Sequence, residues 1–460
     1  VCIANRGEIA RRIGRACKSA GLQTFQPLSE ADAGATFASF ADEQEVIGGA
    51  AAGDSYLNIQ KLVDAAVAHG CDSIHPGYGF LSENADFAEA VGAAGLVFIG
   101  PPPEVIRLLG NKTEARKAVI AGGVSVAAGV EGGLSDAELL SAAEEAEYPL
   151  ILKAVAGGGG RGMRVVASSA EFKEALPRVR AEASKFFAND DVYFEKYIEN
   201  PRHVEVQLFG DEEGKVLHFG TRECSLQRRH QKIIEEAPAV FLEKELRSQI
   251  EQDAVNAAEA VGYVNAGTAE FLVSNGKHYF LEINTRIQVE HPVTEQITGH
   301  DLVRLQLEVA AGCPLKLAQQ DISFTGHAIE CRVYAEDPAN SFMPTRGTIE
   351  NLQSPELPFF REDRGFESGD TISLHYDALL TKLIVHGASR DEAIARMRAV
   401  LHDYRIDGLK TSLDFHKWLF IQSAFLSDSC DIAFIDNCFD PDVLDAVSEV
   451  WQNHQTSPSA

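Results

Sequence analysis

Residues 150–166 read LILKAVAGGGGRGMRVV. An apolar, β-prone run reaches Lys153, breaks into four consecutive glycines at 157–160, and resumes after Arg161 as MRVV. Glycine costs backbone entropy, so four in a row make sense where bare backbone must approach something closely. Unobstructed backbone N–H groups cradle phosphate oxygens, and Lys153 and Arg161 add positive charge at either end. Gly157, Gly159 and Gly162 also satisfy G-x-G-x-x-G. A dinucleotide fold needs a helix next, however, and here a strand is predicted. No Gly-Lys-Ser/Thr ends the run, so a P-loop is excluded. A glycine flap over a nucleotide triphosphate remains, with Gly158, Gly159 and Gly160 at its centre. A plain surface hairpin is the alternative.

Acidic residues supply the second pattern. Glu270 lies on one predicted strand, and Glu282 and Asn284 alternate onto one face of the next. A three-residue connection sets Glu270 on that same face. A two-residue Asn275-Gly276 turn sets it on the opposite one. Adjacent carboxylates repel unless a cation sits between them, and Glu and Asn oxygens suit a Mg²⁺ that keeps waters and bridges to phosphates. A solvated strand face with scattered acids is the alternative. The third pattern is basic. Residues 227–232, QRRHQK, hold three full positive charges and an imidazole, and Arg286, Gln288, Glu290 and His291 follow within NTRIQVEHPVTE. Alone, QRRHQK is a surface charge run. Together, the two strings could hold a small planar oxyanion while Glu290 takes its proton.

These residues need elements to carry them. Residues 1–100 alternate strand and helix, with strands at VCIA, 72–75 and LVFIG and helices over 9–20, 59–69 and 84–94. That βαβ rhythm implies a parallel sheet with helices on its faces. The three prolines 101–103 mark a boundary to a helical linker over 101–124, with Lys112 in the turn between two short helices. Residues 125–197 read as a small α+β unit carrying the flap. Residues 198–426 read as a larger, mainly antiparallel unit, with strands near 203–210, 215–224, 266–273, 278–284, 326–334 and 375–385 and helices over 242–261, 301–311 and 390–403. Residues 427–460 read as a patternless acidic tail.

The chain has 460 residues, enough for two to four domains, and a composition 45% hydrophobic and 24% charged, which places it among ordinary globular proteins. Its formal charge of −27 argues against nucleic acid or an anionic membrane as partner. The eight cysteines form no C-x-x-C pair, so neither a disulfide framework nor a zinc site is predicted, and a reducing compartment is. No apolar stretch has membrane-spanning length, and no signal peptide precedes the first strand. The first residue, Val1, lies already within a predicted strand, so a few residues are expected to precede it.

The strings IANRGEIA, SIHPGYGFLSENADFA, FIGPP, LKAVAGGGGRGM, YFEKYIENPRHVEVQ, QRRHQKIIEEAPA, LEINTRIQVEHPVTEQITG, GHAIECRVYAEDP and YDALLTKLIVHG resemble the biotin carboxylase family. They run in the family's order from residue 3 to about residue 410. The pairing of QRRHQK with NTRIQVEHPVTE separates this family from other ATP-grasp enzymes. The resemblance implies an ATP-grasp fold: an N-terminal parallel α/β (Rossmann-like) domain, a small mobile lid, and a large antiparallel-sheet C-terminal domain. It implies a ligase that uses MgATP (or MnATP) and bicarbonate to carboxylate N1 of biotin on a carrier protein.

By the same resemblance, Lys112, Lys153, Glu195, Lys196, Ile198, His203, Gln227 and His230 match nucleotide-binding positions, and Glu270, Glu282 and Asn284 match metal ligands. Lys232, Arg286, Gln288, Val289 and Glu290 match the bicarbonate site, and Arg332 matches the arginine that steadies the biotin enolate. Ala156 replaces a fifth glycine, and PTRG at 344–347 replaces P-S-P-G; neither touches a matched site residue. The methionines Met163, Met343 and Met397 all lie outside the Met-Lys-Met setting of a biotinyl lysine. The carrier is therefore expected to be a separate subunit or part of a longer chain. A carboxyltransferase partner, a homodimer, a cytoplasmic (or organelle-matrix) location and acetyl-CoA as acceptor complete what the resemblance implies. Other acyl-CoA esters, pyruvate and urea remain open as acceptors. An amine-ligating ATP-grasp enzyme would share the flap and Glu270/Glu282 but lack the QRRHQK and RIQVEH pair. A non-catalytic relative would be expected to lose Glu290, Lys232 or Arg286.

Overall fold

The computed structural model describes residues 1–155, 162–187, 189–444, 446, 447 and 451. The glycines 157–160 and Arg161 lie outside the described residues. Lys153 and the resumed strand do not.

Residues 1–100 form a parallel sheet in the order β3-β2-β1-β4-β5: β1 (Cys2–Ile3), β2 (Phe25–Ser29), β3 (Glu43–Gly48), β4 (Ser73–His75) and β5 (Val97–Phe98). The helices α1 (Gly7–Ser19), α2 (Ile59–Ala68) and α3 (Ala85–Ala93) link them. α1 buries Ile9, Ile13, Ala16 and Cys17, which recur at helical spacing. α2 and α3 begin at Asn58 and Asn84, whose side chains accept from the amides of Lys61 and Phe87. The structure adds β2 and β3, which the sequence reading left unassigned. β2 is buried along its whole length and contains a proline, and β3 is a mostly exposed edge beginning Glu-Gln-Glu. Neither alternates, so neither carries the period-two signal.

Two helices follow, α4 (Pro103–Gly110) and α5 (Lys112–Ala121). Asn111 accepts from the amides of Thr113 and Glu114, so Lys112 is the first residue of α5 rather than part of the turn. Beyond them, α6 (Asp136–Glu145) and α7 (Ser169–Phe187) pack on a three-stranded sheet ordered β7-β6-β8: β6 (Leu150–Ala154), β7 (Met163–Val166) and β8 (Val192–Lys196). Its core is Leu139, Leu150, Leu152, Phe172, Leu176 and Phe194.

The rest is built on an eight-stranded antiparallel sheet. Its order is β15-β14-β9-β10-β13-β16, then the strands Leu379–Gly387 and Phe360–Arg364. Here β9 is Arg202–Gly210, β10 Val216–Glu223, β13 Ile234–Ala237, β14 Asn265–Ser274, β15 Lys277–Asn284 and β16 His327–Tyr334. A short hairpin, β11 (Gln227–Arg228) with β12 (Gln231–Lys232), stands between β10 and β13. The helices α8 (Lys244–Ala260), α9 (His291–Thr298), α10 (Leu302–Ala310) and α11 (Arg390–Asp403) complete this part. The described part of the acidic C-terminal segment is patterned after all. Residues 434–438 form a helix, and Cys430, Ile435, Leu444 and Val447 lie in the largest apolar core.

Candidate active site

The hairpin carrying the acids closes with the two-residue Asn275-Gly276 turn, since Ser274 pairs with Lys277. Both turn residues have positive φ, 51° and 70°, as a tight hairpin demands. That register alone would pair Glu270 with Leu281 and leave Glu282 on the other face. A β-bulge between Glu270 and Phe271 shifts the ladder, so that Glu270 lies opposite Glu282 and Thr268 opposite Asn284. The alternation of β9 adds His203, Glu205 and Gln207. Glu270 pairs with Glu205 and Thr268 with Gln207, while β10 sets Arg222 against Glu205. One face of the sheet is thus polar and buried, with Val204, Val206 and Leu208 of β9 in an apolar core on the other.

Lys232 stands at the centre. Its Nζ reaches Glu270 Oε1 at 2.9 Å and Glu290 Oε1 at 3.0 Å, and it also contacts Glu205. Burial opposes its charge, but Glu205, Glu270 and Glu290 outweigh burial and hold its pKa well above the ordinary lysine value. Burial likewise pushes Glu290 up. Lys232, then Arg332 and Arg222, draw it back below the usual range, so it is a carboxylate at neutral pH. Arg332 Nη2 donates to Glu290 Oε2 at 2.9 Å and also touches Glu235, whose carboxyl burial pushes up to about 7. Arg286 Nη2 donates to Asn284 Oδ1 at 2.8 Å, and its Nε lies 3.2 Å from Glu83.

Glu270 Oε1 also accepts from Asn284 at 2.8 Å and Gln288 at 2.9 Å, while His203 Nε2 lies 3.1 Å from Glu270 Oε2. Burial disfavours the His203 cation, yet Glu270 and Glu205 raise its pKa to about 9. Arg222 is fully buried. It donates to Glu205 at 3.0 Å, Gln207 at 2.7 Å, Thr268 and Thr294 at 3.1 Å, and also to Gln288.

Nearer the small sheet, Lys112 Nζ donates to Glu282 Oε2 at 3.1 Å. Lys153 pairs with Glu195, whose other oxygen takes Arg116 at 3.0 Å. Lys196 instead donates to the carbonyl of Tyr148 at 3.0 Å, and Ile198 is half-buried. Gln227 pairs in register with Lys232, whereas His230 sits exposed in the hairpin turn with φ 66°. The structure therefore brings Lys232, Glu270, Asn284, Gln288, Glu290 and Arg332 into one contact network, with Arg286 joined through Asn284. It keeps Lys112 with Glu282 and Lys153 with Glu195 as two further pairs, and leaves His230 outside all of them.

The donor set suits a hard divalent cation. Glu270 and Glu282 face one another on adjacent strands, and Lys232 and His203 keep Glu270 ionised against the push of burial. Among the described residues, His203, Glu205 and Glu270 also bring ligand-type atoms within 4.8 Å of one another, with Lys232 already bonded to both acids. Glu205, Arg222, Glu83, Arg116 and Glu235 escaped the sequence reading as site residues. For Glu205 a signal existed: three polar residues at 203, 205 and 207 alternate with valine, valine and leucine.

Residues 1–106 match the family described as "Biotin carboxylase, N-terminal domain". Residues 111–318 match "Carbamoyl-phosphate synthase L chain, ATP binding domain", and residues 330–437 match "Biotin carboxylase C-terminal domain". The chain is 48% identical over 438 residues to the biotin carboxylase of Allochromatium vinosum, covering 95% of this chain and 97% of the relative. It is similar to the crystal structure of a Campylobacter jejuni biotin carboxylase–ATP complex (TM-score 0.92, 41% identity, 95% of this chain and 98% of that one). It is also similar to the biotin carboxylase domain of Hydrogenobacter thermophilus 2-oxoglutarate carboxylase, crystallised with MgADP, ADP and bicarbonate (TM-score 0.90, 42% identity, 95% and 96% covered).

Proposed function

The chain belongs to the biotin carboxylase family, and from that premise we propose that it carboxylates N1 of carrier-bound biotin, using ATP and bicarbonate, through the residues of this network. One observation carries the assignment. A single ammonium, Lys232, joins the metal-side acid Glu270 to the base Glu290, whose second oxygen is held by Arg332. The residues assigned to metal, anion and biotin thereby adjoin one another.

Lys112, Lys153, Glu195, Lys196, Ile198, His203, Gln227 and His230, with the glycines 158–160 of the flap, are assigned to the nucleotide. Glu270, Glu282 and Asn284 would hold Mg²⁺, which when bound neutralises charge on the phosphate oxygens. Bicarbonate is assigned to Lys232, Arg286, Gln288, Val289 and Glu290. Glu290 takes the hydroxyl proton, the freed oxygen attacks the γ-phosphorus, and ADP leaves, giving carboxyphosphate. Lys232 and Arg286 stabilise the charge gathering on the transferred group. Carboxyphosphate breaks to CO₂ and phosphate. The phosphate so released takes the N1 proton of biotin, and the resulting enolate captures CO₂ at N1 while Arg332 holds its oxygen. Water would hydrolyse carboxyphosphate, so the flap is assigned the role of closing before chemistry.

The proposed setting is the first half-reaction of an acetyl-CoA carboxylase in fatty acid synthesis. The chain would act in the cytoplasm as a homodimer, with a separate biotin carrier and a carboxyltransferase that selects the acceptor. The domain assignment 1–100, 101–124, 125–197 and 198–426 belongs to the same proposal; the segment 427–460, expected as a separate tail, packs apolar residues of its described part into the largest apolar core. Labelled bicarbonate tests the reaction. With MgATP and free biotin, the chain should place acid-labile label on biotin. ADP formation with no label on biotin would refute the assignment.

A further inference from the structure

Lys382 lies outside the nucleotide, metal and anion positions assigned above, yet its side chain is fully buried. Its strand sets it opposite Arg332 on one side and Asp363 on the other. Its Nζ donates to the backbone carbonyl of Val289 at 2.8 Å and pairs with Glu8 Oε1 at 3.1 Å. Glu8 belongs to the first turn of α1, in the N-terminal sheet unit, is itself buried, and also accepts from the Tyr78 hydroxyl. Burying an ammonium is expensive, and an apolar side chain of similar length would pack here without that cost. The polar contacts are therefore what distinguishes lysine at this position.

The contact to Val289 falls at a decisive place. A peptide unit is planar, so fixing the Val289 carbonyl also fixes the N–H and Cα of Glu290. The preceding peptide is held too, because His291 Nδ1 lies 2.7 Å from the Gln288 carbonyl. Both peptide planes around Val289 are thus clamped. The side chains on either side, Gln288 and Glu290, reach Glu270, Lys232 and Arg332.

We propose that Lys382 is a positioning residue for bicarbonate: its ammonium, anchored by Glu8 of the N-terminal unit, sets the Val289–Glu290 peptide and hence the aim of the base. This rests on the bicarbonate site proposed above. The test is steady-state kinetics of bicarbonate-dependent ADP formation in the full chain. Lys382→Met is combined with Glu8→Gln so that Glu8 is not left as a buried carboxylate without its ammonium. The double variant should lower kcat/KM for bicarbonate roughly ten- to a hundredfold, as expected for misplacing a reacting group by up to about 1 Å, and leave KM for ATP within about twofold.

Glu8→Gln alone removes the anchoring charge and should lower kcat/KM for bicarbonate less than the double variant does, with KM for ATP again within about twofold. Lys382→Arg keeps a cation beside Glu8 but replaces a point donor by a planar fork, and should show the same split. It decides the matter if the double variant does not fold. Unchanged kcat/KM for bicarbonate in a folded Lys382 variant, or a KM for ATP that rises to a similar extent, would overturn the inference while leaving the functional reading intact. A wild-type chain with no bicarbonate-dependent turnover would overturn both.

Discussion

Glu290 touches Lys232 through one oxygen and Arg332 through the other, so its charge is compensated from two sides before any substrate arrives. Glu290→Gln keeps the shape and removes the base. Turnover with bicarbonate should fall by roughly 10²–10⁴-fold with ATP affinity nearly unchanged, as read by ADP formation and nucleotide titration. Lys232→Met is a different experiment. It leaves Glu205, Glu270 and Glu290 facing each other without their shared cation, and should lower stability by roughly 3–5 kcal/mol as well as abolish turnover; thermal melts measure the first effect. Lys232, Glu270, Arg286 and Glu290 stood out by residue type and spacing, each beside a plainer reading as surface charge, whereas Arg332 entered through the family resemblance alone. Arg222 did neither. One arginine between threonine and glutamate says nothing until the sheet sets it opposite Glu205 and beside Gln207.

Elements decide what those residues can reach. The Asn275-Gly276 turn was visible in sequence, and by parity alone it separates Glu270 from Glu282. The bulge that reunites them has no composition signal, since Leu281 is an ordinary strand residue whose displacement follows from packing in the whole sheet. Strand β3 was missed for the opposite reason: it is an exposed, charged edge with no apolar alternation. A second inter-element contact gives a pH prediction. Glu236 of β13 meets His327 of β16 at 2.7 Å and Arg390 of α11 at 2.7 and 2.8 Å. Burial pushes its pKa up, but His327 and Arg390 bring it down to about 2 from an ordinary 4.5. A carboxylate held low in the folded state stabilises above its unfolded pKa and loses that effect as pH falls. The contribution should be about 3 kcal/mol at pH 7 and should fade between pH 4.5 and about 2. Glu236→Gln should therefore melt below wild type at pH 7, with the gap closing on acidification. A gap independent of pH would refute the assignment.

At the scale of the molecule, a chain of net charge −27 is assigned two anionic substrates, ATP and bicarbonate. Paired cations stand where those substrates are assigned, Lys232, Arg286 and Arg332 on the anion side and Lys112 and Lys153 on the nucleotide side. The acids that balance them leave Glu270 and Glu282 paired across two strands, where the account requires a divalent ion. Chelation should stop turnover, and added Mg²⁺ or Mn²⁺ should restore it. The most direct measurement is ADP formation by the purified chain with Mg²⁺, varying bicarbonate and free biotin independently. Hydrolysis should require bicarbonate and rise when biotin is added. Hydrolysis indifferent to both, or nucleotide binding with no turnover under any of these conditions, would contradict the assignment.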